Sequence, residues 1–101
     1  MNIPKIETIL DDTKQLHDEV KLKLHLGSAE VKTEIEGLES TLTTLKSKVK
    51  KIADVAGDSA KELSTAAELG FQGDSKEDVN IALELAANEL KESYKKIQKL
   101  I

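Results

Sequence analysis

Apolar residues recur at alternating steps of four and three along most of the chain. The clearest run consists of Val31, Ile35, Leu38, Leu42, Leu45, Val49, Ile52 and Ala56. The same rhythm continues on either side of it, through Ile6, Ile9, Thr13, Leu16 and Val20 upstream and Ala60, Leu63 and Ala67 downstream. Heptads sustained over more than three repeats are typical of a coiled-coil helix. The pattern therefore predicts one long helix from about residue 4 to about residue 69.

A loop is predicted at residues 70–75, where two glycines lie close together. Ser75 is a suitable N-cap with Asp78 three residues further on, and lysines crowd the end of the segment that follows. We therefore expect a second helix from about residue 76 to about residue 100. Because the loop is short, the two helices should pack antiparallel as a hairpin within a single all-α domain of residues 1–101.

Two other places could interrupt the long helix. Gly27-Ser28 could end one helix and cap the next, and Ser59 with Glu62 forms a possible capping box after Gly57. Neither place has a proline or a polar loop of several residues, which favours a bend over a turn. The alternative is a three-helix bundle with a break at Gly27.

The hairpin would leave the first part of the chain uncovered, because the shorter helix reaches back only to about residue 42. Each exposed side chain would lose roughly 1.5–3 kcal/mol of burial free energy. The uncovered stripe predicts an oligomer seam made of Ile6, Ile9, Leu16, Val20, Leu24, Val31, Ile35 and Leu38. We therefore expect a homodimer or a higher homo-oligomer, completed as a helical bundle, unless the chain folds back at Gly27.

The stretch VKLKLHL at residues 20–26 alternates apolar and polar residues, as a strand would. Within a helix the alternation gives two stripes, because successive residues are about 100° apart. Val20 and Leu24 continue the seam, whereas Leu22 and Leu26 form a second apolar patch with Ala29. This patch predicts a docking point for a second chain or another protein partner.

Composition narrows the class of protein. The chain has 101 residues, 2% aromatic residues, no cysteine and a net charge of −4, and all fifteen basic residues are lysine. Mild acidity without arginine argues against nucleic-acid binding. The lack of cysteine fits the cytoplasm, and no apolar run approaches the ~20 residues that span a bilayer, so a membrane partner is not expected.

Candidate chemistry is sparse. His17 and His25 are the two histidines, and their separation of eight residues does not let them share a metal on one helix face; both are expected at the solvent edge. Motifs for phosphate binding, zinc proteases and nucleophile elbows are missing. The sequence therefore predicts no catalytic residue, no metal and no cofactor, and the chain is not expected to be an enzyme.

Residues 22–45 and the closing DVNIALELAANELKESYKKI resemble a set of small bacterial coiled-coil proteins. The matching features are the LKLHL segment before the heptads, Ala56-Gly57-Asp58 in the middle, and Leu90 to Ile97 near the end. The resemblance implies a helical hairpin and no established activity. The expected role is a non-enzymatic, self-associating scaffold or adaptor; the alternative is an amphipathic-helix protein that coats a lipid or granule surface.

Overall fold

The structure is a computed structural model that describes residues 2–71 and 73–101. It contains four α-helices: α1 (Ile3–Leu22), α2 (Ala29–Ala53), α3 (Ser59–Glu68) and α4 (Lys76–Leu100). A single 3₁₀ turn, Leu24–Leu26, lies between α1 and α2. The described residues contain no strand, so the predicted all-α class is confirmed. None of the described helices is long and apolar enough to cross a membrane.

The predicted last helix is confirmed together with its cap. Ser75 is the N-cap of α4, and its hydroxyl accepts a hydrogen bond from the Asp78 backbone N–H at 3.2 Å. Glu77 and Asp78 lie in the first turn, where carboxylates stabilise the positive end of the helix dipole. These local signals were sufficient to locate the start of α4.

The prediction of one continuous helix over residues 4–69 is wrong, because the chain turns at residues 23–28. Gly27 is extended there, with φ −90° and ψ 159°, and the Ser28 hydroxyl caps α2 by accepting from the Val31 N–H at 3.3 Å. A Cβ atom at Gly27 would lie 3.0 Å from Val31 Cγ1 and 3.2 Å from Ile101 Cγ2. The absence of a side chain therefore allows close packing, and the break falls where the alternative prediction placed it.

A second break at residues 54–58 separates α2 from α3. Gly57 has φ +97°, a conformation that other residues rarely adopt. Asp58, not Ser59, is the N-cap: its carboxylate accepts from the Lys61 N–H at 3.1 Å, while Glu62 accepts from the Gly57 N–H at 3.1 Å. The predicted capping box is thus displaced by one residue.

The turn at residues 23–28 brings α1 back beside α2 and α4. Helices α1 and α4 run parallel, because their contacts keep nearly the same separation in sequence. The Asn2 N–H donates to Asn80 at 2.8 Å, and Gln98 donates to Glu19 at 3.2 Å. Helices α1 and α2, on either side of the turn, are antiparallel, and Lys21 Nζ lies 3.3 Å from Glu39 Oε1.

The last helix reaches much further back than residue 42, because Ile101 lies against Gly27. A reach to only about residue 42 requires residues 54–69 to continue the axis of α2. They instead form a turn and the ten-residue α3, so α4 starts beside the C-terminal end of α2 and runs along its whole length.

The core is built from the heptad positions of all three long helices. The positions on α2 are buried as predicted, namely Val31, Ile35, Leu42, Leu45, Val49 and Ile52. The buried positions on α1 also follow steps of three and four, namely Ile3, Ile6, Leu10, Thr13, His17 and Val20. The expectation that the first part of the chain lacks intrachain cover is therefore wrong.

Candidate functional site

The predicted oligomer seam lies inside the single chain. Four of its residues, Ile6, Val20, Val31 and Ile35, are buried in the core. The other four are half-buried and packed against that core: Ile9, Leu16, Leu24 and Leu38. Since α4 and α2 already cover α1, these side chains do not form a surface for a second chain. The break at Gly27 lets the chain fold back on itself, so the stripe that was predicted as an interchain seam is covered within one chain.

The second predicted patch remains on the surface. Leu22 is 80% exposed and Leu26 is 62% exposed, and Ala29 is also exposed. Leu22 is the last residue of α1 and Leu26 lies in the turn, so neither faces the core. Leu100, which is 67% exposed, lies at the same end of the molecule, because Ile101 contacts Gly27 and Gln98 contacts Glu19.

Lysines and carboxylates both lie at this end. Residues 20–29 and 94–101, which meet there, contain five lysines, while Asp18 lies beside Leu22, Glu19 contacts Gln98 and Glu30 follows Ala29. Lys21 pairs with Glu39 and Lys95 pairs with Glu92. The other three lysines are exposed and form no ion pair with any residue that the structure describes. The resulting surface, here called the leucine–lysine end, consists of Leu22, Leu26, Leu100, Lys23, Lys96 and Lys99.

Sequence reasoning found the two leucines of the turn but missed Leu100, Lys96 and Lys99. The lysines were interpreted as partners of the helix dipole at the end of the last helix, a role that their positions still allow. Their second role depends on the C-terminal ends of α1 and α4 lying side by side. The pattern of a single helix carries no information about that parallel arrangement.

His17 is not at the solvent edge as predicted but is buried, with 8% of the residue exposed. Its ring packs edge-to-face on Tyr94, with centroids 5.7 Å apart. Nδ1 lies 3.1 Å from Asp18 Oδ1, and Nε2 lies 3.5 Å from Glu39 Oε2. The steps Leu10–Thr13–His17–Val20 were present in the sequence and would have placed His17 on the buried face. His25 is exposed, as predicted.

The surroundings of His17 change the acidity of its neighbours. The contact with His17, together with nearby Lys14, holds the pKa of Asp18 below its usual value. Lys21 lowers the pKa of Glu39, and His17 adds to that effect. Burial, followed by the negative charges of Glu39 and Asp18, raises the pKa of Tyr94 to about 12.

This polar cluster joins α1, α2 and α4, with the rings of His17 and Tyr94 buried and the carboxylates of Asp18 and Glu39 partly exposed. Tyr94 Oη is buried and accepts or donates no hydrogen bond among the described residues. Because His17 is only 8% exposed and Tyr94 is fully buried, the two rings are packed within the core. We therefore assign it a packing role and place the candidate functional surface at the leucine–lysine end.

A groove on the surface lies between α1 and α2. Two acidic residues of α1, Glu7 and Asp11, line it together with Lys46 and Lys50 of α2. Lys46 and Lys50 thus face carboxylates across the groove. Within residues 2–71 and 73–101, no three His, Cys, Asp or Glu side chains are placed to hold a metal ion.

Comparisons with known proteins do not assign the chain to a family. No protein-family model matches it, and neither the curated proteins nor the solved structures contain a match.

Proposed function

We propose that the chain is a non-enzymatic docking module, a small helical scaffold that binds its partner through the leucine–lysine end. The observation that carries this proposal is the exposure of three leucines at one end of the molecule. Leu22, Leu26 and Leu100 are 80%, 62% and 67% exposed, whereas the heptad positions of the same chain are buried.

Exposed apolar residues are informative when they are concentrated. Single surface leucines are normal, but clusters rimmed by polar groups mark binding sites. The described residues include five exposed large apolar side chains, and three of them lie at this end. The other two, Ile81 and Leu85, lie one turn apart on α4 and provide a matched comparison.

The heptad stripe does not support self-association, because its side chains are covered within one chain. A homo-oligomer of this fold would have to use exposed side chains instead. The scaffold or adaptor role predicted from the sequence is therefore kept in this proposal, with the binding surface moved from the seam to the end of the molecule.

The test compares two paired variants of a tagged chain in native lysate. Leu22→Glu with Leu26→Glu places two carboxylates at the leucine–lysine end, and Ile81→Glu with Leu85→Glu makes the same change on the exposed face of α4. We expect fractionation by size and by sedimentation to find the wild type and the α4 variant bound in larger assemblies. The end variant should elute as the free monomeric chain.

Circular dichroism should show equal helix content in both variants, since all four side chains are exposed. A wild-type chain that elutes entirely free would contradict the docking function. Equal loss of the bound fraction in both variants would contradict the choice of surface.

A further inference from the structure

We propose that the groove between α1 and α2 binds a small zwitterion, a molecule with one cationic and one anionic group joined by an apolar chain. The groove is separate from the leucine–lysine end, so this site adds a ligand to the proposed docking function. Three features of the groove support the proposal: the opposite charges on its two walls, its apolar floor and its volume.

The two walls of the groove carry opposite charges. Glu7 and Asp11 lie one helical turn apart on α1, and Lys46 and Lys50 lie one turn apart on α2. Within residues 2–71 and 73–101, no ion pair joins these four side chains to each other or to any other residue. The groove therefore presents two carboxylates on one side and two ammonium groups on the other.

The next charged residues along the same helix faces do not change this arrangement. Lys14 follows Asp11 by three residues, but its ammonium group lies 3.4 Å from the carboxylate of Asp18. Asp54 follows Lys50 by one turn, where it is the C-cap of α2, and it does not line the groove. The charge contrast thus holds for the lining as a whole, which is Glu7, Leu10, Asp11, Lys46, Val49, Lys50 and Ala53.

Each row of like charges suits a single counter-charge. Like charges one turn apart on a helix repel each other. One ammonium group placed between Glu7 and Asp11 is attracted to both of them, and one carboxylate placed between Lys46 and Lys50 is attracted to both lysines. A zwitterion therefore interacts favourably with both rows, whereas a singly charged molecule interacts favourably with only one.

The floor of the groove is apolar and the groove is of small-molecule size. Leu10 and Val49 are each 2% exposed, and Ala53 is half-buried. The volume is about 410 Å³, within the roughly 300–1,000 Å³ of sites that bind small ligands. A chain of methylene groups can therefore lie on the floor between the two charged ends, which identifies the ligand class as ω-amino acids and molecules with the same charge arrangement.

The experiment titrates purified ¹⁵N-labelled protein with unbranched ω-amino acids from aminobutanoate to aminooctanoate. The alkylamine and the alkanoate of matching chain length are the singly charged comparison ligands. We expect at least one of the amino acids to shift the amide resonances of residues 7–11 and 46–53 selectively. An exposed ion pair changes an equilibrium constant by up to about fivefold, and two are available at each end, so each comparison ligand should bind about tenfold more weakly.

Two double variants assign the ends of the ligand to the two walls. Lys46→Gln with Lys50→Gln should weaken the binding of the amino acid about tenfold and leave that of the alkylamine unchanged. Glu7→Gln with Asp11→Asn should weaken the binding of the amino acid to a similar degree and leave that of the alkanoate unchanged.

Matched controls remove the same charges elsewhere on α2. Lys32→Gln with Lys51→Gln is the control for the lysine row, and Glu34→Gln with Glu36→Gln is the control for the acidic row. All four control residues are exposed and none lines the groove. Both controls should bind like the wild type, and circular dichroism checks that every variant is folded.

Three outcomes would overturn the proposal. These are the absence of binding by every amino acid of the series, binding no tighter than that of the singly charged ligands, and equal loss of affinity in the groove variants and the controls. None of them bears on the leucine–lysine end, because the docking function is tested separately by the variants of Leu22 and Leu26.

Discussion

The two ends of the molecule interrupt the same heptad pattern by different physical means. At the leucine–lysine end the chain turns through Gly27, whose backbone has an ordinary conformation. A Cβ atom at Gly27 would lie only 3.0 Å from Val31 Cγ1, so the turn is tightly packed. At the opposite end the chain turns through Gly57, which has φ +97° and no atom within 4 Å of its Cβ position. The first turn depends on tertiary packing and the second on local backbone conformation.

Polar contacts also stabilise the opposite end. Glu62 on α3 is buried and accepts from the Gly57 N–H, and its carboxylate lies 3.4 Å from Lys76 Nζ. Lys48 Nζ lies 5.5 Å from the ring centroid of Phe71. Contacts of this kind hold α3 against α2 and α4. The leucine–lysine end, by contrast, leaves Leu22, Leu26 and Leu100 exposed.

The largest effect is expected from Glu62→Ala, which removes the buried carboxylate at the opposite end. The Gly57 N–H and Lys76 would lose their charged partner, and a hydrogen bond to a charged group contributes roughly 1.5–3 kcal/mol. We expect the free energy of unfolding in urea to fall by about 2 kcal/mol. Glu68→Ala, on the exposed face of the same helix, is the control and should change it by less than about 0.5 kcal/mol. Equal effects would show that Glu62 does not hold this end.

Gly57→Ala should lower the free energy of unfolding by about 1–2 kcal/mol, since a side chain is strained at positive φ. The strain is local, so amide hydrogen exchange should accelerate in α3 and change little in α1. Faster exchange throughout the chain would mean that the two ends are coupled, against the comparison drawn above.

Gly27→Ala tests the packing at the leucine–lysine end. Val31 is stiff in a helix and cannot easily move away from the added methyl group. We expect a loss of about 1 kcal/mol in the free energy of unfolding, with faster exchange in α1 and at the end of α4.

Gly37→Ala provides the control for this substitution, because its Cβ position has no neighbour within 4 Å. Gly37 lies inside α2, where alanine is favoured over glycine by about 1 kcal/mol, so the control should stabilise the chain. A stabilising Gly27→Ala variant would show that the turn is not tightly packed.

The smallest effect is expected from a substitution of Tyr94, which is buried between the two ends. Its pKa is raised from the ordinary value of 10 to about 12, so the folded state holds the proton more tightly than the unfolded state. The resulting stability is fully present below pH 10 and is lost as the pH rises from 10 through 12. Tyr94→Phe should remove this component of the pH dependence and change the stability at pH 7 by less than about 1 kcal/mol, because the buried hydroxyl has no described partner. Urea denaturation at pH 7 and pH 11 measures both, and an identical pH dependence in the two proteins would contradict the account.

The sequence predicts the helical faces well, because burial of one face imposes the heptad spacing whatever covers it. Six of the seven positions from Val31 to Ile52 are buried as the spacing requires, and Leu38 is half-buried. Ser75 caps α4 as its side-chain chemistry requires. The spacing does not say which helix supplies the cover. Either a second chain or α4 of the same chain can cover the apolar stripe on α1, and the turn at Gly27 determines which of them does.

The turn itself was visible only as a weak signal, since Gly27 adopts a backbone conformation open to any residue. Its importance comes from the approach of Ile101, 74 positions further along the chain, which no local pattern encodes. The residues of the candidate surface also differ in whether a local pattern or tertiary packing reveals them. Leu22 and Leu26 were found from local periodicity, whereas Leu100 joined them through the parallel packing of α1 and α4.

The most direct test of the fold is zero-length carbodiimide cross-linking of Lys21 to Glu39, mapped by mass spectrometry. Their charged groups lie 3.3 Å apart in the folded-back chain, whereas one continuous helix would hold the two residues about 27 Å apart. Mixing unlabelled and ¹⁵N-labelled protein before the reaction distinguishes links within a chain from links between chains. The account predicts Lys21–Glu39 links that are entirely unlabelled or entirely labelled. Links that join one unlabelled and one labelled peptide, or the absence of this link in the folded protein, would contradict it.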